Sequence, residues 1–219
     1  MSLGKLLHHH HDAEHGHDHG GVFNHPRFYD FSAELGFLGR RREVFTRLAV
    51  LAGIRTGHKV LDVGCGTGYL TRIIAPVVGP DGQVTGVDPA APMIEYARRL
   101  APDNCTYLLG EGQDLDLPDE SFDVVVSSLA VHHMPAERRG DALREMYRVL
   151  RPGGRLLIAE YRPPANPILA RIAGLFAGPH MREVRHTLGA SIAEAGFRVE
   201  DQGDLPVSLC YVRASRPAS

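Results

Sequence analysis

Cysteine is scarce in this chain: only Cys65, Cys105 and Cys210 occur in 219 residues. They form no CxxC and no paired spacing, so neither a disulfide framework nor a cysteine zinc site is indicated, and a reducing cytoplasm is the expected compartment. Long apolar runs are missing too. Nothing approaches the roughly 18 residues needed to span a bilayer, and Leu3, Leu6 and Leu7 are too few for a secretory leader. A protein neither exported nor inserted in a membrane is expected. Net charge is small, 24 Lys plus Arg against 26 Asp plus Glu, leaving −2. No global positive field is available to hold nucleic acid, so a polyanion partner is excluded at this level.

What is present fits one globular domain. Hydrophobic residues make up 43% and charged residues 23% of the chain, enough for a sizeable core. Histidine is the anomaly, with eight of 13 in the first 25 residues. Residues 1–25 are expected to be a disordered tail, interrupted by Asp12, Glu14 and Asp18. Its imidazoles and carboxylates can take up Zn²⁺ or Ni²⁺ adventitiously, since no fixed ligand spacing recurs. No metal site is expected elsewhere. Residues 26–219 read as a single domain with a small helical insert at about 163–185.

Apolar residues from Phe31 to Leu51 fall at helical spacing and stop at Gly53, predicting one leading helix. Strands are predicted at 59–63, 83–87, 106–109, 122–127 and 155–159, and helices at 70–78, 92–100 and 136–150. This βα alternation implies a parallel sheet with helices on both faces. After Pro163 and Pro164 a short helix is expected around Ile168–Phe176, then a helix at 182–195. Strands at 198–202 and 207–212, closely connected, predict an antiparallel hairpin.

The chemistry-bearing segment is Val60-Leu-Asp-Val-Gly-Cys-Gly-Thr-Gly-Tyr-Leu70, a strand joined to a helix through Gly64, Gly66 and Gly68. Glycines there let backbone N–H groups approach a ligand, and the helix start adds the positive end of its dipole. The spacing is GxGxG and not the GxGxxG of dinucleotide folds. Asp88 lies 20 residues after Gly68, at the carboxyl end of the next strand, where an acid can accept both hydroxyls of a ribose.

The markers VLDVGCGTG, VTGVDPA with Met93, LLGEGQDLDLPDESFDVV, EMYRVLRPGG and LLIAE together resemble class I S-adenosylmethionine-dependent methyltransferases. The pattern is nearest to the small-molecule ubiquinone and menaquinone C-methyltransferase branch, over about Phe28 to Val212. The resemblance implies a Rossmann-like doubly wound α/β sheet of order 3-2-1-4-5-7-6 with an antiparallel last strand, and S-adenosyl-L-methionine as cofactor. It also implies that Asp62, Gly64, Gly66 and Gly68 contact the methionine part of the cofactor, with Thr67 a further loop contact and Asp88 the ribose ligand. Where the family often has Gly-Asp-Ala this chain has Gly110-Glu111-Gly112, so Glu111 stands in for the acid facing the adenine, with Gln113 or Asp114 beside it. Ser127 resembles the residue closing the pocket under the sulfonium, and Tyr29 and Asp30 lie in a region that folds over the cofactor in related enzymes. The other readings stay open: Asp62 capping the turn, Asp88 capping the next helix, and Phe28 and Tyr29 anchoring the leading helix.

On the acceptor side, His132 and His133 follow the fourth strand, and imidazole can take a proton near neutral pH. His132 is the candidate base, with His133 pointing elsewhere if the segment is extended; a structural or helix-capping use of either ring is the alternative. Glu160 and Tyr161 end the fifth strand and either line the pocket or, for Glu160, face water. Ile168, Leu169, Ile172, Leu175 and Phe176 either line an apolar channel or pack on the sheet. Arg40–Arg42 and Arg98–Arg99 read as solvated helix faces, since no aromatics are interleaved. The expected activity is methyl transfer to an oxygen or carbon of a small, partly apolar acceptor in the cytoplasm. The competing readings are a nicotinamide-dependent oxidoreductase, against which GxGxG counts, and a methyltransferase-like binding protein without turnover.

Overall fold

The computed structural model describes residues 25–162 and 180–218, with the backbone alone for 180–186. Seven strands form one sheet in the order β3-β2-β1-β4-β5-β7-β6. They are β1 Lys59–Val63, β2 Gln83–Asp88, β3 Cys105–Leu109, β4 Phe122–Ser128, β5 Leu150–Tyr161, β6 Arg198–Leu205 and β7 Leu209–Ser215. β7 runs antiparallel to both neighbours, β5 and β6, while the other pairings are parallel. The strand order expected from the family resemblance is therefore the observed one.

The central strands are apolar on both sides because both sides are covered. Val60, Leu61 and Val63 of β1 are fully buried. Val60 joins Val84, Val124 and Leu157 under α2 Arg41–Leu51 and α3 Tyr69–Val78. Leu61 and Val63 join Val125, Leu156 and Ile158 under α5 Arg139–Val149 and α6 His180–Glu194. The period-2 alternation of the strands thus distributes one chain into two core layers. A fifth covering helix, α4 Ala91–Arg99, seats Ile94 and Ala97 against Tyr107 and Cys65.

The leading helix differs from the sequence expectation. It is two helices, α1 Pro26–Gly36 and α2, separated at a turn where Leu38 (φ +52°) and Gly39 (φ +73°) are left-handed. Phe37 turns inward there and meets Phe45 edge-on, ring centroids 5.4 Å apart, while Leu38 is left exposed. Apolar spacing ran across the break because both helices use the same period. The helix expected over 136–150 is also shorter. A 3-10 turn, Ala136–Arg138, precedes α5, and Leu150 already belongs to β5 because Pro152 cannot continue a helix. The helix expected around Ile168–Phe176, with the apolar residues Ile168, Leu169, Ile172, Leu175 and Phe176, lies outside the described residues, as does most of the 163–185 insert.

The arginine clusters are not all solvated faces. Arg41 is buried at 4% exposure, ion-paired to Asp30 (2.9 Å) and stacked 3.8 Å over the Tyr69 ring. Arg98 donates through Nε and Nη2 to the Tyr107 carbonyl, tying α4 to β3. Helical spacing alone does not reveal such long side chains folding back onto the core.

Ile158 lies in the centre of β5 with no exposed surface. Ile158→Ala is expected to lower unfolding free energy by about 2–5 kcal/mol, the cost of lost burial plus a cavity. The same truncation at exposed Val50 is expected to change it by no more than about 0.5 kcal/mol. Denaturant melts of both variants check this.

Candidate functional site

β1 pairs with β2 on one side and β4 on the other, so chain connections diverge there and a crevice is expected at the carboxyl ends of these strands. The loop leaving β1 fills that edge. Gly64 has φ +75°, and a Cβ on it would sit 2.2 Å from the Ala130 Cβ, so only glycine lets the loop close against the segment after β4. At Gly66 (φ +52°) nothing lies within 4 Å of a built Cβ, leaving open space on that side of the loop.

Asp88, at the end of β2, is buried and holds two backbone amides. Its Oδ2 accepts from Gly66 N–H (2.8 Å) and its Oδ1 from Ala90 N–H (2.9 Å) just before α4. Burial pushes its carboxyl up, and those two amides pull it back. Asp62, at 1% exposure, accepts from the Thr71 hydroxyl (2.7 Å) and the Thr71 amide in the first turn of α3. Its pKa is pushed up to about 7, first by burial and further by the Asp88 charge. Among the described residues, neither acid has a basic partner.

Thr67 is fixed from outside the sheet. Its hydroxyl donates to Asp30 Oδ1 (2.7 Å), which also takes the Arg41 ion pair, and Arg72 Nη1 donates to the Thr67 carbonyl (2.6 Å). Through Asp30, α1 is latched onto the glycine loop. Tyr29, the preceding residue in α1, is half-buried within reach of the Arg41 and Asp88 charges, and burial is the main reason its phenol is pushed up. Gly68 (φ +72°) stands at the N-cap of α3. Met93 is enclosed in the first turn of α4 at 1% exposure.

The loop after β3 closes on the same edge. A Cβ on Gly112 would lie 2.9 Å from Val63 and 2.8 Å from Met134, so that glycine packs directly onto the end of β1. Glu111 is exposed, receives a hydrogen bond from the Gln113 amide and bridges to Asp114. α5 holds this loop in place: Glu145 accepts from Leu115 N–H (2.9 Å), while Arg148 donates to the Leu115 and Leu117 carbonyls. Ser127, at 1% exposure, donates to the Val63 carbonyl (2.9 Å), stitching β4 to β1.

His132 and His133 do not lie in an extended segment; they share a 3-10 turn, Val131–His133, and their rings pack with centroids 3.9 Å apart. The parity expected of an extended chain is therefore absent. Glu160 does not face water. It is 2% exposed, with Oε2 2.6 Å from His132 Nδ1 and Oε1 accepting from Val131 N–H (2.8 Å). Sequence reasoning missed this partnership, although an acid ending the apolar run Leu156–Ala159 already implied a buried group needing donors.

Comparison with known proteins follows this geometry. Residues 60–154 match the family model described as "Methyltransferase domain". Over that stretch the chain is similar to this family. It is 40% identical over 127 residues to the ubiquinone/menaquinone biosynthesis C-methyltransferase UbiE of Ectopseudomonas mendocina, covering 56% of this chain and 49% of that protein. With the protein of the same name from Hahella chejuensis it is 37% identical over 155 residues, covering 68% and 61%. The chain thus spans about half to three-fifths of the length of these relatives. A SAM-dependent methyltransferase from Aquifex aeolicus superposes with a TM-score of 0.71 at 24% identity, over 87% of this chain and 96% of that one. The [4+2]-cyclase SpnF superposes at 0.66 and 19% identity over 81% of each chain. At such identities the chain shares a fold with these structures, and fold alone does not choose the reaction.

The raised pKa of Asp62 sets a pH dependence. Between the unfolded value, about 3.9, and about 7, the native state keeps a proton that the unfolded chain has lost. Stability from this group therefore falls as pH rises through that window and is level above it, with a slope of at most about 1.4 kcal/mol per pH unit. Asp62→Asn is expected to flatten the slope and to gain on the parent progressively from pH 4 to 7. Denaturant melts without ligand at several pH values check this.

Proposed function

We propose that the chain is an S-adenosylmethionine-dependent methyltransferase moving a methyl group to an oxygen or carbon of a small, partly apolar acceptor. The observation that carries the reading is the pair of buried acids, Asp62 and Asp88, beside the glycine loop without a basic partner. Adenosylmethionine brings a sulfonium cation, which that field favours; a dinucleotide would bring an anionic pyrophosphate to the same loop, which it opposes. The residues present fit the cofactor. An ionised Asp88 has about four lone-pair sites and the two backbone amides use two of them, leaving one on each oxygen for the ribose hydroxyls. The open side of Gly66 leaves room for a ligand against the backbone. Asp62, Gly64, Gly66, Thr67 and Gly68 would hold the methionine part. Glu111, Gly112 and Gln113 would hold the adenine, and Tyr29, Met93 and Ser127 would enclose the rest.

When bound, the cofactor supplies a methyl group already activated on sulfur. The chain has then to bind, align and exclude water, and to take up any proton the acceptor brings. His132 is the base for a phenolic or enolic acceptor, whose proton an imidazole can take near neutral pH. The acceptor is read as a small molecule and not a nucleic acid: the place after β4 reads Ser-Ser-Leu-Ala, without the Asn-or-Asp-Pro-Pro-aromatic motif of nucleic-acid amino-methyltransferases, and net charge is −2. The C-methyltransferase relatives agree with this choice. A cytoplasmic location is supported by three scattered cysteines that form no disulfide. No helix among the described residues is long and apolar enough to cross a membrane.

Titration calorimetry tests the reading. The parent is expected to bind adenosylmethionine, and Asp88→Ala to lose about 2–3 kcal/mol of that affinity. Parental affinity in the variant, or binding of NADH in place of adenosylmethionine, would overturn the assignment.

We also read residues 26–219 as a single methyltransferase domain and the His-rich residues 1–25 as separate from it. Deletion through Gly20 is expected to abolish uptake of Ni²⁺ or Zn²⁺ while leaving the melting temperature in chelator, and methyl transfer, unchanged. A lower melting temperature or lost turnover would make the tail a working part.

A further inference from the structure

Strand β5 ends in a carboxylate that is nearly inaccessible, and such a group persists only when its oxygens are supplied with donors. Glu160 has three. Its Oε1 takes the amide of Val131 at 2.8 Å and that of His132 at 3.4 Å, and its Oε2 lies 2.6 Å from Nδ1 of the His132 ring. One side chain therefore fixes both the backbone of the 3-10 turn and the imidazole mounted on it. The turn is braced from the other side by Arg139 of α5, whose Nη2 donates to the His132 carbonyl (3.3 Å) and whose Nε donates to that of Met134 (3.2 Å). His133 packs beside the ring, and Val131 shares an apolar cluster with Leu188 of α6. The imidazole side chain retains 9% exposure. Among the described residues nothing hydrogen-bonds its Nε2.

A carboxylate only accepts, so the short contact requires the proton to sit on Nδ1 and leaves the lone pair on Nε2. We infer that Glu160 is the positioning residue of the reaction: it fixes His132 in the Nδ1–H tautomer and stabilises the imidazolium formed when Nε2 takes the acceptor's proton. This rests on the methyltransferase reading and adds a residue to it. The proton balance is simple. The acceptor O–H bond breaks, its proton passes to Nε2, and the electron pair left on oxygen, or on the carbon conjugated with it, forms the new bond to the methyl carbon. The S–CH₃ electrons stay on sulfur. Two buried partners of opposite formal charge then replace a carboxylate beside a neutral ring, which is the logic by which an acid supports a histidine base in hydrolytic triads.

The first measurement needs no variant and no acceptor. Imidazole ¹⁵N spectra of the parent, with His132 assigned by difference from His132→Gln, should show the neutral ring protonated on Nδ1; a ring protonated on Nε2 overturns the inference. Glu160→Gln keeps the shape and an oxygen for the Val131 amide, but its NH₂ donates toward Nδ1, so the tautomer should invert. An unchanged tautomer in this variant also overturns it.

Turnover is then compared with a neutral phenol and with 4-nitrophenol, which is largely ionised in mildly alkaline buffer. Glu160→Gln and His132→Ala should each slow transfer to the neutral phenol by roughly 10²-fold, with the KM for adenosylmethionine unchanged, and should spare the ionised one. An equal loss on both acceptors, or transfer to neither phenol while an amine is methylated, overturns the inference. Adenosylmethionine binding by calorimetry separates the two levels: if the parent fails to bind it, the methyltransferase reading fails. If binding persists and the tautomer does not respond to Glu160→Gln, only the role of Glu160 fails.

Discussion

One carboxylate sets the geometry of the glycine-loop edge. Asp88 ends β2 and binds the amide of Gly66 from the preceding loop and that of Ala90 from the following one. The glycine loop has no side chains with which to shape itself, so its position depends on what its amides meet. Gly64 and Cys65 both donate to the Val87 carbonyl, one residue before Asp88. The turn after β1 is therefore read off the end of β2, and the register β1↔β2, Asp62 opposite Gly86, is what brings the two into contact. Replacing an acceptor here leaves orphaned amides in a half-buried place, at a cost of about 1–3 kcal/mol each. A ligand bound by Asp88 inherits this rigidity.

The same arrangement concentrates negative charge. The Asp88 charge adds to the cost of ionising buried Asp62, and α1 adds Asp30, whose charge is met by Arg41 and by the Thr67 hydroxyl. The difference matters. Asp30 is neutralised within the protein and serves to hold α1 against the loop, whereas, among the described residues, Asp62 and Asp88 have hydroxyl and amide donors and no basic partner. Burial without a counter-charge is costly, and it raises the pKa of both acids.

Most of the fold, and the glycine loop with Asp88 beside it, were legible in the sequence because they rest on local signals. Short apolar runs bounded by turn residues located all seven strands, and Gly64, Gly66 and Gly68 are two residues apart with Asp88 at the end of the next strand. What escaped depends on contacts remote in sequence. The break between α1 and α2 is decided by Phe37 turning onto Phe45, and the burial of Arg41 by Asp30 and Tyr69. Neither leaves a mark in hydrophobic periodicity. Glu160 and His132 are 28 residues apart and meet only because β4 and β5 are parallel neighbours with Ser128 opposite Ala159. Local spacing cannot report a pair that the sheet register creates.

The two halves of the site are built from different materials, and this explains why one was readable and the other was not. The half proposed to hold the cofactor is mainly backbone: amides of Gly66, Ala90 and Thr71 held by buried acids, with glycine where the chain must come close. Such a half is tied to spacing and tolerates little change. The half proposed for the acceptor is made of side chains borne on a 3-10 turn and near a strand end, His132 on one and Glu160 on the other. A turn between two strands can alter length or residue type without disturbing the sheet, so acceptor chemistry can diverge while the glycine loop stays fixed. That a protein described as a cyclase shares this fold at 19% identity is what such a division of labour permits. On the proposed reading, acceptor specificity is therefore to be sought in the turn after β4 and in what packs on it, before the backbone-built loop after β1.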